Sequence, residues 1–129
     1  MSAIRAEGRT SAVRGEGAAE VAEVAEVTDA DFGFEVLGVE RPVLVQFTAE
    51  WCGPCRQLGP VLADLAAEEA ERLKVVRLDV DRNPETTVAY GVLSTPTLMV
   101  FREGEPVWQS VGARPKRKLV ADLAGAGVL

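Results

Sequence analysis

Residues 50–56 read Glu-Trp-Cys-Gly-Pro-Cys-Arg and contain both cysteines of the 129-residue chain, which has no histidine. The apolar run 43–47, Val-Leu-Val-Gln-Phe, precedes this stretch and predicts a central strand that is covered on both faces. A helical pattern follows over 54–72, and Pro54 suits the first turn because the N–H that it lacks would have no partner there. The two thiols are therefore predicted at a strand-to-helix junction.

Two cysteines separated by two residues are compatible with several kinds of site. A structural disulfide would close a very small loop and add little stability. Structural zinc needs about four Cys or His ligands, so no metal site is expected. Two buried, reduced cysteines remain an alternative, but thiol-disulfide exchange fits this spacing best. At the start of a helix Cys52 is expected to be exposed and activated, with Cys55 one turn deeper and near enough to attack a mixed disulfide.

The overall charge and the N-terminal segment limit the location and the partners. The net charge is −6, which argues against nucleic acid and anionic membranes as partners. No run reaches the roughly 18 apolar residues that a membrane span needs. Residues 1–20 lack the apolar segment of a secretory signal, so a cytoplasmic location is expected, where thiols are normally reduced. We also expect a monomer.

The rest of the chain predicts an α/β domain over residues 21–129, preceded by a flexible or loosely ordered extension, 1–20. Thr28 and Asp31 form a capping box that opens a short helix. The predicted elements are strands at 23–27, 43–47, 73–80, 97–101 and 107–111 and helices at 28–37, 54–72, 84–90 and 115–124, with a hairpin turn at 103–106. This β-α-β-α-β-α-β-β-α order indicates a central mixed sheet of four to five strands flanked by four helices.

Several segments reproduce a familiar pattern at matching distances: Ala49–Cys55, Pro60, Asp79–Pro84, Tyr90-Gly91, Thr95–Leu98 and Val111–Ala113. Together they resemble the thioredoxin family over about residues 21–129. The resemblance implies the thioredoxin fold and a protein-disulfide reductase that works by dithiol-disulfide exchange. It implies no bound cofactor, and electrons that come indirectly from NADPH through thioredoxin reductase. Proteins that contain disulfides are the implied targets.

The resemblance also assigns roles at the disulfide Cys52–Cys55. Cys52 is implied as the nucleophile and Cys55 as the resolving thiol. Trp51 flanks the pair, and Gly53 and Pro54 lie between the two cysteines.

Two segments distant in sequence from the cysteines, one at Thr95-Pro96 and one at Gly112, are implied to form the substrate-binding surface. Pro96 is expected to follow a cis peptide bond and to face the cysteines, while the backbone of Thr95 pairs with an extended target. Gly112 is expected to let the target approach closely. An ordinary trans proline and a simple turn glycine are the alternatives.

The chain departs from the family pattern in the surroundings of the site. Gln46 stands where most relatives have a buried aspartate, and an amide cannot take a proton from the resolving thiol. Thr48 replaces a tryptophan found in many relatives, and Arg77 stands where lysine is common. The basic run 114–118, Arg-Pro-Lys-Arg-Lys, is either a solvated face or a contact for a partner.

Two other functions compete with a reductase. One is a redox-independent module that binds proteins through the same surface; it predicts that a Cys52→Ser variant keeps full cellular function. The other is an exported oxidant or isomerase, which the Gly-Pro pair between the cysteines argues against. The reduction potential separates an oxidant from a reductant.

Deletion of residues 1–20 is expected to leave the rate of disulfide reduction within about twofold, since this segment has almost no large apolar side chains to pack on a domain. Steady-state reduction of a protein disulfide by the full and shortened chains tests this. A tenfold loss would show that the extension belongs to the active unit.

Overall fold

The computed structural model describes residues 24–129, in which five strands and four helices follow the predicted order. The strands are β1 Ala25–Val27, β2 Val43–Thr48, β3 Lys74–Asp79, β4 Thr97–Arg102 and β5 Glu105–Val111. The helices are α1 Gly33–Leu37, α2 Gly53–Glu68, α3 Pro84–Ala89 and α4 Lys116–Gly125. The predicted mixed sheet with four helices is thereby confirmed, while the predictions for residues 1–20 lie outside the described residues.

The five strands form one sheet in the order β1-β3-β2-β4-β5. β1 and β2 both pair with β3 in parallel, and β4 pairs in antiparallel fashion with β2 and β5. β2 is therefore central, and residues 43–47 are all buried. This position explains the nearly continuous apolar sequence of β2, because both of its faces are covered.

The two faces of the sheet build two hydrophobic clusters. On one face Leu44 packs with apolar residues of α2 and α4, of which Leu58, Leu62, Leu65, Leu119 and Leu123 are the main ones. On the other face Val43 and Val45, the neighbours of Leu44 in β2, pack with α1 and with an aromatic group formed by Phe32, Tyr90 and Phe101. Alternation of side chains along β2 thus fixes α2 on one face, with the cysteines at its first turn.

The reciprocal hydrogen bonds of the predicted capping box are present, but they close a turn at 28–31, and the helix begins only at Gly33, with Phe32 as its capping residue. The N–H of Thr28 donates to Asp31 Oδ1 at 2.7 Å, and the N–H of Asp31 donates to Thr28 Oγ1 at 3.4 Å. The helix that follows is a single π-helical turn, in which the N–H of Gly38 donates to the carbonyl of Gly33 at 2.9 Å. The prediction of a helix is confirmed, but its hydrogen-bond pattern differs from an α-helix.

Besides the start of the first helix, which lies at Gly33 instead of residue 28, two further predicted boundaries are wrong. α2 ends at Glu68 instead of residue 72, because Glu69 leaves the helical backbone conformation (φ −115°, ψ 26°) and residues 69–72 form a turn. β5 begins at Glu105, so the hairpin turn is only 103–104, where both residues have positive φ (54° and 81°) as a tight two-residue turn requires. Pro106 suggested a longer turn, but an edge strand accepts a proline.

The basic run 114–118 is largely paired with acids of the same protein. Arg114 and Lys118 both donate to Asp122 of α4. Lys116 reaches α2, where its Nζ lies 2.6 Å from Glu68 Oε2 and 3.8 Å from Asp64 Oδ2. These acids offset the unfavourable placement of cations at the start of α4.

Asp122 is expected to make stability depend on pH in the acid range. The hydrogen bond from Arg114 is the main cause that lowers the pKa of Asp122; Lys118 acts in the same direction, and burial opposes both. A lowered pKa means that this contribution is present above the unfolded-state pKa, about 4, and is lost as the pH falls through the lower folded-state value.

We therefore expect the free energy of unfolding to fall more steeply below about pH 4 in the wild type than in Asp122→Asn. Urea denaturation at a series of pH values measures both slopes. Parallel pH profiles would show that this ion pair makes no contribution linked to protonation.

Candidate active site

The two cysteines lie at the junction between β2 and α2 and form a disulfide, with their Cα atoms 5.3 Å apart. Cys52 is the N-terminal capping residue of α2, with extended backbone angles (φ −95°, ψ 107°). Its Sγ accepts a hydrogen bond from the N–H of Cys55 at 3.2 Å. In the reduced protein the same N–H and the positive end of the helix would favour a thiolate at Cys52.

The prediction that Cys52 is exposed is wrong for this disulfide-bonded state. Cys52 has 3% of its surface exposed and Cys55 has 4%, so both residues are buried to the same extent. Ala49 and Val80 pack against the pair and cover it. Val80 comes from the segment after β3, and this contact is not visible in the sequence around the cysteines.

Gln46 lies on β2 beside the first turn of α2. It is buried, and its Nε2 donates to the carbonyl oxygen of Cys55 at 3.3 Å. Arg77, its neighbour on β3, is exposed and donates instead to the carbonyl of Val24. Gln46 thus binds the backbone of Cys55 with a group that cannot take a proton.

Trp51 flanks the disulfide as an exposed side chain, with 69% of its surface accessible. Its Nε1 donates to Asp81 Oδ2 at 2.8 Å. Gly53 and Pro54, between the cysteines, are the first two residues of α2. An exposed tryptophan held by a hydrogen bond provides a rigid apolar surface beside the disulfide.

The segment 95–97 and the turn after β5 lie side by side. The Thr95–Pro96 peptide bond is cis. The N–H of Gly112 donates to the carbonyl of Pro96 at 2.8 Å. Gly112 has a φ of 96°, while a Cβ placed there would meet no atom within 4 Å, so its backbone conformation and not the available space favours glycine.

A cavity of 110 Å³ lies between Trp51 and the residues that precede Pro96. Its lining also includes Thr95, whose Oγ1 is buried and has no hydrogen-bond partner among the described residues. The remaining lining residues are Val80, Thr87, Val92, Leu93 and Ser94. Sequence reasoning did not assign these residues to the site, since they come from separate stretches of the chain that only the fold brings together.

The described residues contain no group of three or more His, Cys, Asp or Glu that could hold a metal ion. Within residues 24–129, none of the helices is long and apolar enough to cross a membrane.

Comparison with known proteins gives consistent matches. A family model described as Thioredoxin matches residues 23–125. The chain is 50% identical to a thioredoxin of Mycobacterium tuberculosis over 98 residues, which cover 76% of this chain and 84% of that relative. A thioredoxin of Alicyclobacillus acidocaldarius is 49% identical over 98 residues, 76% of this chain and 92% of its own length. A bifunctional thioredoxin reductase/thioredoxin of Mycobacterium leprae is 48% identical over 99 residues, 77% of this chain and 22% of that protein.

Substitution of Gln46 by aspartate is expected to speed the release of a target from Cys52 several-fold near neutral pH. A carboxylate at this place can take the proton of the Cys55 thiol, and base assistance is typically worth about a hundredfold or more when it is well aligned. The gain should shrink at high pH, where the thiolate forms without help. Stopped-flow measurement of release across pH tests this.

Gln46→Leu is the matched control, because it removes the hydrogen bond to Cys55 without adding a base. Both variants should lose about 1–3 kcal/mol of stability, since the amide's hydrogen bond is lost, and the aspartate also buries a carboxyl group. Identical release rates in Gln46→Asp and wild type at every pH would mean that the proton leaves by another route.

Proposed function

We propose, from the premise that this chain belongs to the thioredoxin family and is a thiol-disulfide oxidoreductase, that Cys52 attacks target disulfides and Cys55 completes their reduction. The Cys52 thiolate forms a bond to one target sulfur and displaces the other as a thiolate. The Cys55 thiolate then attacks Cys52 Sγ, which releases the first target sulfur. Two electrons pass to the target, which ends as a dithiol, and the Cys52–Cys55 disulfide remains.

The hydrogen bond from the N–H of Cys55 to Cys52 Sγ is the observation that supports this order of events. Only Cys52 occupies the capping position of α2, where the free N–H groups of the first turn stabilise negative charge. Cys55 lies within the helix, so its sulfur does not occupy the capping position. The thiolate is therefore expected on Cys52 first.

The surface beside the disulfide is proposed to bind an extended segment of the target. Thr95 offers its backbone next to the cis Pro96, and Gly112 leaves this region free of a side chain. The cavity between Trp51 and Thr95 would accept an apolar side chain of the target. Hydrogen bonds to the target backbone give affinity for many target sequences, and a pocket for a target side chain adds selectivity.

The disulfide must be reduced again after each cycle, and we propose that a thioredoxin reductase does this with electrons from NADPH. The relative from Mycobacterium leprae, whose name joins thioredoxin reductase and thioredoxin in one protein, supports this pairing. We further propose that the protein acts as a cytoplasmic monomer through residues 21–129, with 1–20 as an extension that takes no part in the chemistry. The cycle uses the two cysteines and needs no bound cofactor.

Cys55→Ser is expected to trap targets as mixed disulfides on Cys52, because the internal attacker is absent. Affinity purification from a lysate, followed by electrophoresis with and without reductant, should show covalent complexes that dithiothreitol releases. Cys52→Ser is the matched control and should trap far fewer proteins.

Two outcomes would contradict the proposed roles. Trapping by Cys52→Ser but not by Cys55→Ser would exchange the nucleophile and the resolving thiol. Full cellular function of Cys52→Ser would instead favour a redox-independent binding module.

A further inference from the structure

A group of polar side chains lies behind the cavity that Trp51 lines. Residues 79–83 connect β3 to α3, and this segment contains two buried polar side chains, Asp79 and Asn83. Buried polar groups cost free energy unless they are hydrogen-bonded, so their partners indicate what they hold in place.

Asn83 is the centre of this group. The side-chain Nδ2 of Asn83 donates to the backbone carbonyl of Asp79 at 3.0 Å. The backbone carbonyl of Asn83 accepts from Thr87 Oγ1 at 2.8 Å. Asp79 Oδ1 in turn accepts the N–H of Asp81 at 2.9 Å, and Asp81 Oδ2 accepts Trp51 Nε1. Thr87 is therefore bonded to Asn83 directly, and Trp51 is linked to it through Asp81 and Asp79. Both Trp51 and Thr87 line the cavity.

Asp29 fixes Asn83 from a distant part of the chain. The N–H of Asp29 donates to Asn83 Oδ1 at 2.8 Å. The Asp29 carboxylate accepts the N–H groups of Glu85 and Thr86, at 3.1 and 2.8 Å, and so caps the N-terminus of α3. Asn83 itself makes no side-chain cap to this helix. The backbone of Asp29 thus orients Asn83, 54 positions away, and the carboxylate of Asp29 holds the start of α3.

The charge state of Asp29 agrees with this geometry. Burial acts to raise the pKa of Asp29, but the hydrogen bonds from Thr86 and Glu85 outweigh it and lower the pKa below its usual range. Asp29 is therefore a carboxylate at neutral pH and accepts from several donors at once.

We infer that Asp29 is a positioning residue for the target-binding cavity: its carboxylate holds the start of α3, which carries Thr87 and directly follows the segment 79–83 that binds Trp51. This inference rests on the proposed function of the cavity. Asp29 has no part in thiol-disulfide exchange itself. Its loss should weaken the binding of protein targets and leave the chemistry of the disulfide largely intact.

The connection to Trp51 can be tested without any turnover. Hydrogen exchange of the Trp51 indole N–H, measured by NMR on the oxidised protein, reports the bond to Asp81. Trp108→Phe identifies the Trp51 signal, as the chain has two tryptophans. Exchange should become at least about fivefold faster in Asp29→Ala, because loss of the carboxylate frees the start of α3 and lets the adjoining segment 79–83 open more often, although the backbone N–H at position 29 can still bond Asn83. Asp31→Ala is the matched control: its carboxylate lies on the same segment, and among residues 24–129 it bonds only the N–H of Thr28.

Kinetics with two disulfides then separate binding from chemistry. Asp29→Ala should raise KM for insulin about three- to tenfold with kcat nearly unchanged, which is the pattern of lost binding. Reduction of hydroxyethyl disulfide, which is too small to depend on the cavity, should change by less than about twofold. Asp31→Ala should behave as wild type in both assays.

The inference is overturned by unchanged indole exchange in Asp29→Ala, by equal effects of Asp31→Ala, or by an equal loss of rate with both disulfides. Asp29→Asn keeps one acceptor oxygen and should give intermediate values, and it replaces Asp29→Ala in all measurements if that variant fails to fold. A wild-type protein that reduced neither disulfide would contradict the proposed function, whereas the indole exchange would still decide the role of Asp29.

Discussion

The free N–H groups at the start of α2 are the constraint on which the rest of the site depends. A helix leaves its first N–H groups without partners inside the helix, and they must find acceptors or water. Here the sulfur of Cys52 accepts one of them, from Cys55. The residue that completes the helix is therefore also the residue whose negative charge the helix stabilises.

The central strand gives this helix terminus its fixed position. β2 lies between β3 and β4 and is buried along residues 43–47, so it has little freedom to shift. Gln46 is a polar residue within this run, and its amide binds the carbonyl of Cys55. A buried amide without such a partner would cost about 1–3 kcal/mol. The same hydrogen bond gives the buried Gln46 amide a partner and holds the first turn of α2 against β2.

The surface around the disulfide is built differently from the core. Its apolar residues Trp51 and Leu93 are exposed, and one hydrogen bond, to Asp81, holds the Trp51 side chain. Asp81 belongs to the segment 79–83, which contacts Asp29, just after β1, through Asn83. A rigid polar support beneath an exposed apolar surface keeps that surface ordered while it remains open to partners.

The sequence by itself determined the framework of this protein. The run 43–47, the Gly-Pro pair after Cys52 and the capping box at Thr28 are local patterns, and they produce a strand, the start of a helix and a hydrogen-bonded turn because each physical cause lies within a few residues. The mixed sheet follows from the order of those elements. The resemblance to thioredoxins identified the candidate cysteines for the same reason, as the motif is contiguous.

Only the tertiary structure decided what surrounds those cysteines. The burial of Cys52 depends on Val80, and the cap of α3 depends on Asp29, which lies 57 residues before Thr86. The cavity also combines residues from four separate stretches of the chain: Trp51, Val80, Thr87 and 92–95. Such contacts depend on how strands and helices pack, and no periodicity in the sequence encodes which distant side chains will meet.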